Sequence, residues 1–421
     1  MNTELWNRIK AFQVHTENEV YEFTTHLAVE NKWTINYTKG AIEEYKKFMY
    51  LAATTDHTVL PSGVVTHVWH AHMLNKESYN QFGLILGKKV ERIPSSYISD
   101  NKEVFKKVNE RTLALYEQIF GERPEDYWLF TNAWETLRMK KSKWRISVIS
   151  LIGIVLMSIL PAFLILKSLF HTIDNSIFLS FYIFSSVILF VGLDFLNRKK
   201  MKEFLNVRVS NKILNELSPN ELIYLKHKKI DKVVYASVNH LIRRNVLRIL
   251  PANLKLVKFN KLDESNSFSK EVCDKIVEKE EISFRELSVE LRNSLTLKQI
   301  EISMNELEKH FIRSRFFVRL FMQNFVAIAL LTILGLSSFI TDIEIGGSFY
   351  LNLFVTGSLL FASILFLVKL SGLFTKKVII DTYKEEKIPN KSYKQNYGHW
   401  EFEYLLHGEA YIDHSFSALA G

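Results

Sequence analysis

The apolar positions of this chain follow two regimes. Four stretches are apolar almost without interruption: "ISVISLIGIVLMSILPAFLIL" (146–166), "IFLSFYIFSSVILFVGLDFL" (177–196), "FFVRLFMQNFVAIALLTILGLSSFI" (316–340) and "FYLNLFVTGSLLFASILFLVKL" (349–370). A helix needs about 20 such residues to cross a hydrocarbon core, and each stretch has that length. They predict four transmembrane helices in two hairpins, 146–196 and 316–370. Arg319, near the start of the third, is expected to snorkel to the interface.

Elsewhere the apolar residues recur at three- and four-residue spacings, the mark of amphipathic helices. In 1–139, Ala41, Tyr45, Phe48, Met49 and Ala52 form one such stripe. Phe105, Val108, Thr112, Leu115 and Ile119 form another, ending at Gly121 with Pro124 beyond. Four or five helices are expected in this domain. In 197–315, Ser218 can cap a helix, Pro219 suits its first position and Glu221 can close a capping box. A second helix follows over about 231–243. Then "VLRILPANLKLVKF" gives two short β-prone runs broken by "PAN". Helix, helix, hairpin is a winged-helix outline, and 268–312 adds further helical patterns. The tail, 371–421, is polar and basic at first, and His399, His407 and His414 read as solvated. The fold class is therefore mainly α.

Charge orients the spans. Lys140, Lys141, Lys143 and Arg145 precede the first, and Arg198, Lys199, Lys200 and Lys202 follow the second. Lys309, Arg313 and Arg315 precede the third, and Lys369, Lys376 and Lys377 end or follow the fourth. The connections at 167–176 and 341–348 lack such clusters. The positive-inside rule then makes the N-terminal region, the central segment and the tail cytoplasmic. These flanks, and contact with anionic lipid, account for much of the net charge of +9 without nucleic acid. "MNTELWNRIK" has no apolar core of a signal peptide, so none is expected. One cysteine, Cys273, allows neither an intrachain disulfide nor a Cys-rich zinc site. Nucleophile-elbow, phosphate-loop and dinucleotide motifs are absent. Asp194 and Asn324 are the polar residues nearest the bilayer interior, each close to a span end, so no ion path is expected.

"THVWHAHML" (66–74) is the one chemically suggestive stretch. With Ser62 as cap after Pro61, a helix from Gly63 to about Leu74 puts Val65, Val68, Trp69 and His72 within an arc of roughly 100°. His67 and His70 lie on another face, roughly 60° apart. They could share a metal, zinc or another transition ion, only with ligands from elsewhere, and His57, Asp56, Glu77 and Glu91 are nearest in sequence. The zincin pattern is missing, because no histidine pair stands four apart with a glutamate between. His72 reads as structural, one ring nitrogen donating to a backbone carbonyl or a carboxylate.

Residues 4–125 resemble the domain of glycine-rich-domain-containing proteins. The resemblance rests on Pro61, Ser62, Val65, Trp69, His70, His72, Tyr79, Gly87 and Pro94, in that order. Two positions depart from it: Thr66 stands where the family has Asp, and Glu91 and Arg92 stand where it has a downstream His. The whole layout resembles a bacterial family of multi-pass membrane proteins without an established activity. Pro219, Glu221 and Leu225 keep that family's central form, "HKK" replaces its glycine turn, and its Gly-rich tail is missing. The resemblance implies a bacterial inner membrane.

The first reading is a multi-pass membrane protein whose cytoplasmic domains serve protein interaction, scaffolding or self-association, with no cofactor. One alternative is a membrane-tethered metal-dependent enzyme or metal sensor around His67 and His70, with His57 and Glu91. Another is nucleic-acid binding through Arg243, Arg244 and Arg248 at the helix-to-hairpin junction, for which protein contact is the simpler use of the same module.

Overall fold

A computed structural model of the chain describes residues 2–14, 20–91, 102–143, 148–208, 211–250, 253–262, 267–346, 349–387, 404–405 and 408. It is largely helical. The N-terminal helices are α1 (Thr3–Ala11), α2 (Val20–Asn31), α3 (Ile35–Thr54), α4 (Gly63–Leu74), α5 (Lys76–Leu86), α6 (Lys102–Phe120) and the single turn α7 (Glu125–Trp128). Two long helices follow, α8 (Val148–Thr172) and α9 (Asn175–Asn206). Next come α10 (Lys212–Asn215), α11 (Pro219–His227), α12 (Ile230–Arg243), strands β1 (Leu247–Leu250) and β2 (Lys255–Lys258), and helices α13 (Ser267–Glu278), α14 (Phe284–Leu291) and α15 (Leu295–Ile312). The last long helices are α16 (Arg315–Ile345) and α17 (Tyr350–Leu373). Arg92, Pro94, Arg145, His399, His407 and His414 lie outside the described residues.

Local chemistry explains where the helices begin and end. Thr34, Ser62, Asn75, Asp174 and Ser314 cap through side-chain oxygens that accept orphan N–H groups of the first turn. Ser218 and Glu221 form the expected capping box, and Ser283 with Glu286 forms another. Gly87 closes α5 at φ 68°, a left-handed position that costs glycine nothing.

The chain folds into two compact units. One comprises 1–138, 208–306 and 386–421, and the other 139–207 and 307–385. In the first unit the N-terminal helices and the central segment share one body. Glu221, fully buried, is the reason in miniature. Its carboxylate accepts from the backbone N–H of Ser218 (2.7 Å) and of Ile35 (3.3 Å), at the starts of α11 and α3, and from Gln299 Nε2 (3.4 Å) on α15. Gln299 also donates to the carbonyl of Trp33 (2.9 Å), and Asn36 donates to that of Glu216 (2.6 Å). Burial raises the Glu221 carboxyl above the usual carboxylate range, and the bonds it accepts oppose that rise. A second buried carboxylate, Glu44, accepts from the Tyr116 hydroxyl (2.7 Å), Trp128 Nε1 (2.8 Å) and Lys47 (2.8 Å). A buried charge is tolerated only when it is satisfied in this way.

Strands β1 and β2 pair antiparallel, Leu247 opposite Lys258 and Leu250 opposite Lys255. Leu256 also exchanges both backbone hydrogen bonds with Ile282, at 2.8 and 3.1 Å, giving β2 a neighbour on its other edge that the sequence pattern did not suggest.

The second unit holds four helices long and apolar enough to cross a membrane. All four outrun the apolar stretches: α8 continues to Thr172, α9 to Asn206, α16 to Ile345 and α17 to Leu373. Of the four, α16 is the most buried, and α8 packs along α16 rather than along α9. Both ends of that pair are fastened. At one, Ser142 N–H donates to the Arg313 carbonyl (2.9 Å) and Arg315 N–H to the Lys140 carbonyl (2.8 Å). At the other, Lys167 pairs with Glu344. Beyond Leu373 the last helix widens into π turns at Phe374–Val378 and Tyr383–Lys387. The first turn stacks Phe374 on Phe311, centroids 4.0 Å apart, beside Phe204 and Phe316.

Candidate functional site

Helix α4 carries the histidine stretch and is held at its start by Ser62 Oγ, which accepts from Val65 N–H (3.1 Å). Its buried side chains are Val64, Val65, Val68, Trp69 and His72. His72 is fully enclosed, its Nδ1 2.7 Å from the Tyr45 hydroxyl and its Nε2 3.0 Å from Ser78 Oγ. Ser78 spends its proton on the carbonyl of Val14, so its oxygen accepts from His72 Nε2–H. Nδ1 is then the acceptor for Tyr45, which fixes the tautomer. His72 thus reaches a backbone carbonyl through a serine rather than directly. Burial raises the Tyr45 hydroxyl well above its ordinary value, which keeps it a donor.

The same face holds a second relay. Trp69 Nε1 donates to the Tyr79 hydroxyl (3.0 Å), which donates to the Val90 carbonyl (2.7 Å). Burial is the main cause that raises the Tyr79 hydroxyl above its ordinary value. Trp69, His72 and Tyr79 therefore tie α4 and α5 to the segment before Glu91, with Phe48 of α3 packed on Trp69 (5.4 Å).

The other two histidines of the stretch are exposed. His67 meets the Trp33 ring edge-on at 6.0 Å, and His70 is exposed on the same helix. His57 and Glu91 instead line an open cleft of about 450 Å³ with Asp56, Thr66, Lys88 and Asn109. Neither His67 nor His70 lines it. Among the described residues no three His, Cys, Asp or Glu side chains gather as a metal-holding group. At Thr66, which stands where the resembled family has Asp, the hydroxyl donates back to the Ser62 carbonyl (2.8 Å). Lys88 reaches the carbonyls of Ala52 and Thr55, both at 3.3 Å, as a cation at the C-terminus of α3. Lys89 and Glu91 pair at 3.6 Å on the rim. The cleft carries both signs of charge over an aromatic floor of Phe48 and Trp69.

Arg243, Arg244 and Arg248 are all exposed where α12 gives way to β1. The Arg248 guanidinium lies 3.3 Å from the centroid of Phe259, a cation–π contact that holds it beside the end of β2.

Among the long apolar helices, polar side chains meet one another. Asn197 and Asn324 exchange two amide hydrogen bonds. Asp342 Oδ2 accepts from Asn175 and Asn352, each at 2.9 Å, and Asn352 also donates to Ser338 (3.0 Å) and accepts from Thr356 (3.0 Å). Tyr182 donates to the Leu331 carbonyl (3.1 Å) beside Gly335, where a Cβ would overlap its hydroxyl. The spacing Asn352, Thr356, Ser363 already places these polar groups on one face of α17, a signal that the apolar run as a whole obscures. Inter-span hydrogen bonds of this kind glue helices together where no hydrophobic effect acts between them.

No family model, no curated protein and no solved structure matches this chain.

Proposed function

We propose that the chain is a four-span protein of a bacterial inner membrane, and that its first unit is a cytoplasmic interaction module serving protein partners or self-association. One observation carries this reading. Residues 1–138 and 208–306 belong to one body, with Glu221 bonded to Ile35 and Gln299 to Trp33, although α8 and α9 lie between them in sequence. Such a body requires an even number of membrane crossings between its parts. The basic flanks of the spans support the cytoplasm as the shared side, and the resemblance to a bacterial multi-pass family supports the inner membrane. Helix, helix and antiparallel strand pair support a winged-helix-like use of 218–258 for protein contact. The open cleft beside Trp69, rimmed by Lys89 and Glu91, is the recognition surface in this reading.

Topology is tested with engineered cysteines, because native Cys273 is only 1% exposed. In intact spheroplasts, an impermeant maleimide is expected to label Ile345→Cys, whereas Leu74→Cys and Val289→Cys label only after permeabilisation. The reverse pattern overturns the orientation. For the interaction role, a photo-crosslinking residue at Lys89 is expected to give discrete adducts that the same residue at Lys107 does not. Identical adduct patterns at the two positions refute it.

A further inference from the structure

We infer that the C-terminal end of the fourth span carries a binding site for the phosphate headgroup of an anionic phospholipid, formed by Lys369, Lys376 and Lys377. The inference rests on the membrane-spanning reading but not on its orientation.

Several basic side chains at this end of the bundle are already engaged. Arg198 pairs with Asp194 (2.7 Å), Lys202 with Glu385 (2.6 Å), and Lys200 donates to Gln323 (2.8 Å). Among the described residues no side chain pairs with Lys369, Lys376 or Lys377, and all three are exposed. Their placement is local in origin. Lys369 and Lys376 are seven residues apart, two helical turns, and so share a face. Between them stands Gly372. The Lys376 stem lies over this glycine, its Cδ 3.4 Å from where a side chain would begin. The Lys376 side chain thus runs back along the helix in the direction of Lys369. In the π turn that follows, Phe374, Thr375 and Val378 point inward, which leaves Lys376 and Lys377 together on the outer side.

The same stripe is apolar above the lysines. Phe361 is 65% exposed and Leu365 41%, two turns and one turn before Lys369. A ligand suited to this face has an anionic head at the lysines and hydrocarbon along Leu365 and Phe361. That is the chemistry of an anionic phospholipid, and the positive charge left unmatched by protein is its complement.

The test uses the full chain purified in detergent, titrated with phosphatidylglycerol or with phosphatidylcholine of the same acyl chains, and read by native mass spectrometry. Phosphatidylglycerol is expected to be retained at least about tenfold more than phosphatidylcholine. Each lysine near a membrane surface contributes about fivefold, so K369Q/K376Q/K377Q should lose at least about tenfold of that preference. The matched K369R/K376R/K377R chain should keep it, and so should K140Q/K141Q/K143Q, which changes basic residues elsewhere. Millimolar glycerol 3-phosphate should not displace the lipid. Equal retention of the two lipids, an unchanged glutamine variant, or displacement by the soluble phosphate each overturns the site. Because detergent complexes have no sides, failure here leaves the topology result untouched, and the converse also holds.

Discussion

Asn197 and Asn324 face each other inside the span bundle, each donating its amide N–H to the other's carbonyl oxygen at 2.8 Å. Both are 1% exposed, so neither has water as an alternative partner. Asn324 uses its second amide hydrogen on the Leu320 carbonyl, also at 2.8 Å. The pair joins α9 to α16 near one end of the bundle.

Replacing either residue by leucine strands the other amide. Each single variant should lose about 1 kcal/mol of bundle stability, with roughly 2 kcal/mol as an upper bound. The double variant should lose less than the sum, because no orphaned amide remains. Unfolding in mixed detergent, run as a double-mutant cycle, measures this. Strict additivity would show that the two side chains do not act as a pair.

Gly335 is a slot for Tyr182. Its replacement by alanine should cost about 1–3 kcal/mol, the usual penalty for overpacking a filled interior. Combining Gly335→Ala with Tyr182→Leu should recover part of that loss, since the colliding ring is gone. The same detergent unfolding assay reads both. An unperturbed Gly335→Ala protein would contradict the close approach of α9 and α16.

The histidine stretch should divide cleanly under mutation. His70→Ala alters an exposed side chain and should stay within about 0.5 kcal/mol of the parent. His72→Ala leaves Tyr45 and Ser78 without their partner and opens a cavity, for a loss of about 3–5 kcal/mol. Thermal unfolding of the first unit in the intact protein measures the difference. Nitrogen chemical shifts of His72 should report a protonated Nε2 and an unprotonated Nδ1. The opposite tautomer would break the Tyr45–His72–Ser78 relay as described.

Glu221 should make stability depend on pH. Its folded carboxyl is raised above the ordinary value by burial. Between the ordinary and the raised value, the folded chain keeps a proton that the unfolded chain has released. Stability from this group is therefore present in full below the ordinary carboxylate range and declines as pH rises through the raised folded value. Glu221→Ala should remove that decline. It should also lower stability by roughly 2–4 kcal/mol, because Ser218, Ile35 and Gln299 lose their acceptor. Melting curves across the acid range test both, and an identical pH slope in the variant would rule out Glu221 as its source.

Much of the molecule was legible in spacing alone. Ser218, Pro219 and Glu221 announced α11, and the capping box formed as expected. Ser62 capped α4, and Trp69 with His72 turned inward while His67 and His70 faced out. These outcomes depend on residues within a turn or two of one another, and helical geometry fixes such neighbours. The strand pair flanking "PAN" is local for the same reason. The neighbour that β2 gains at Ile282 is not, because 26 positions separate it from Leu256.

Distance along the chain marks where sequence reading stops. Glu221 looked like a capping residue and nothing more, yet it also accepts from Ile35, 186 positions away. Asn352 and Asp342 become partners only through the packing of α16 and α17. His57 and Glu91 share a cleft, whereas His67 and His70 do not line it.

The sequence by itself determined that four helices could span a membrane, where the amphipathic helices start, and how basic residues flank the spans. Hydrophobic run length, capping chemistry and charge are all written in consecutive residues. Only the tertiary structure decided which polar groups meet inside the bundle, and that stretches on either side of α8 and α9 build one body. A buried amide or carboxylate is held in place by partners, and those partners come from wherever the fold brings the chain back.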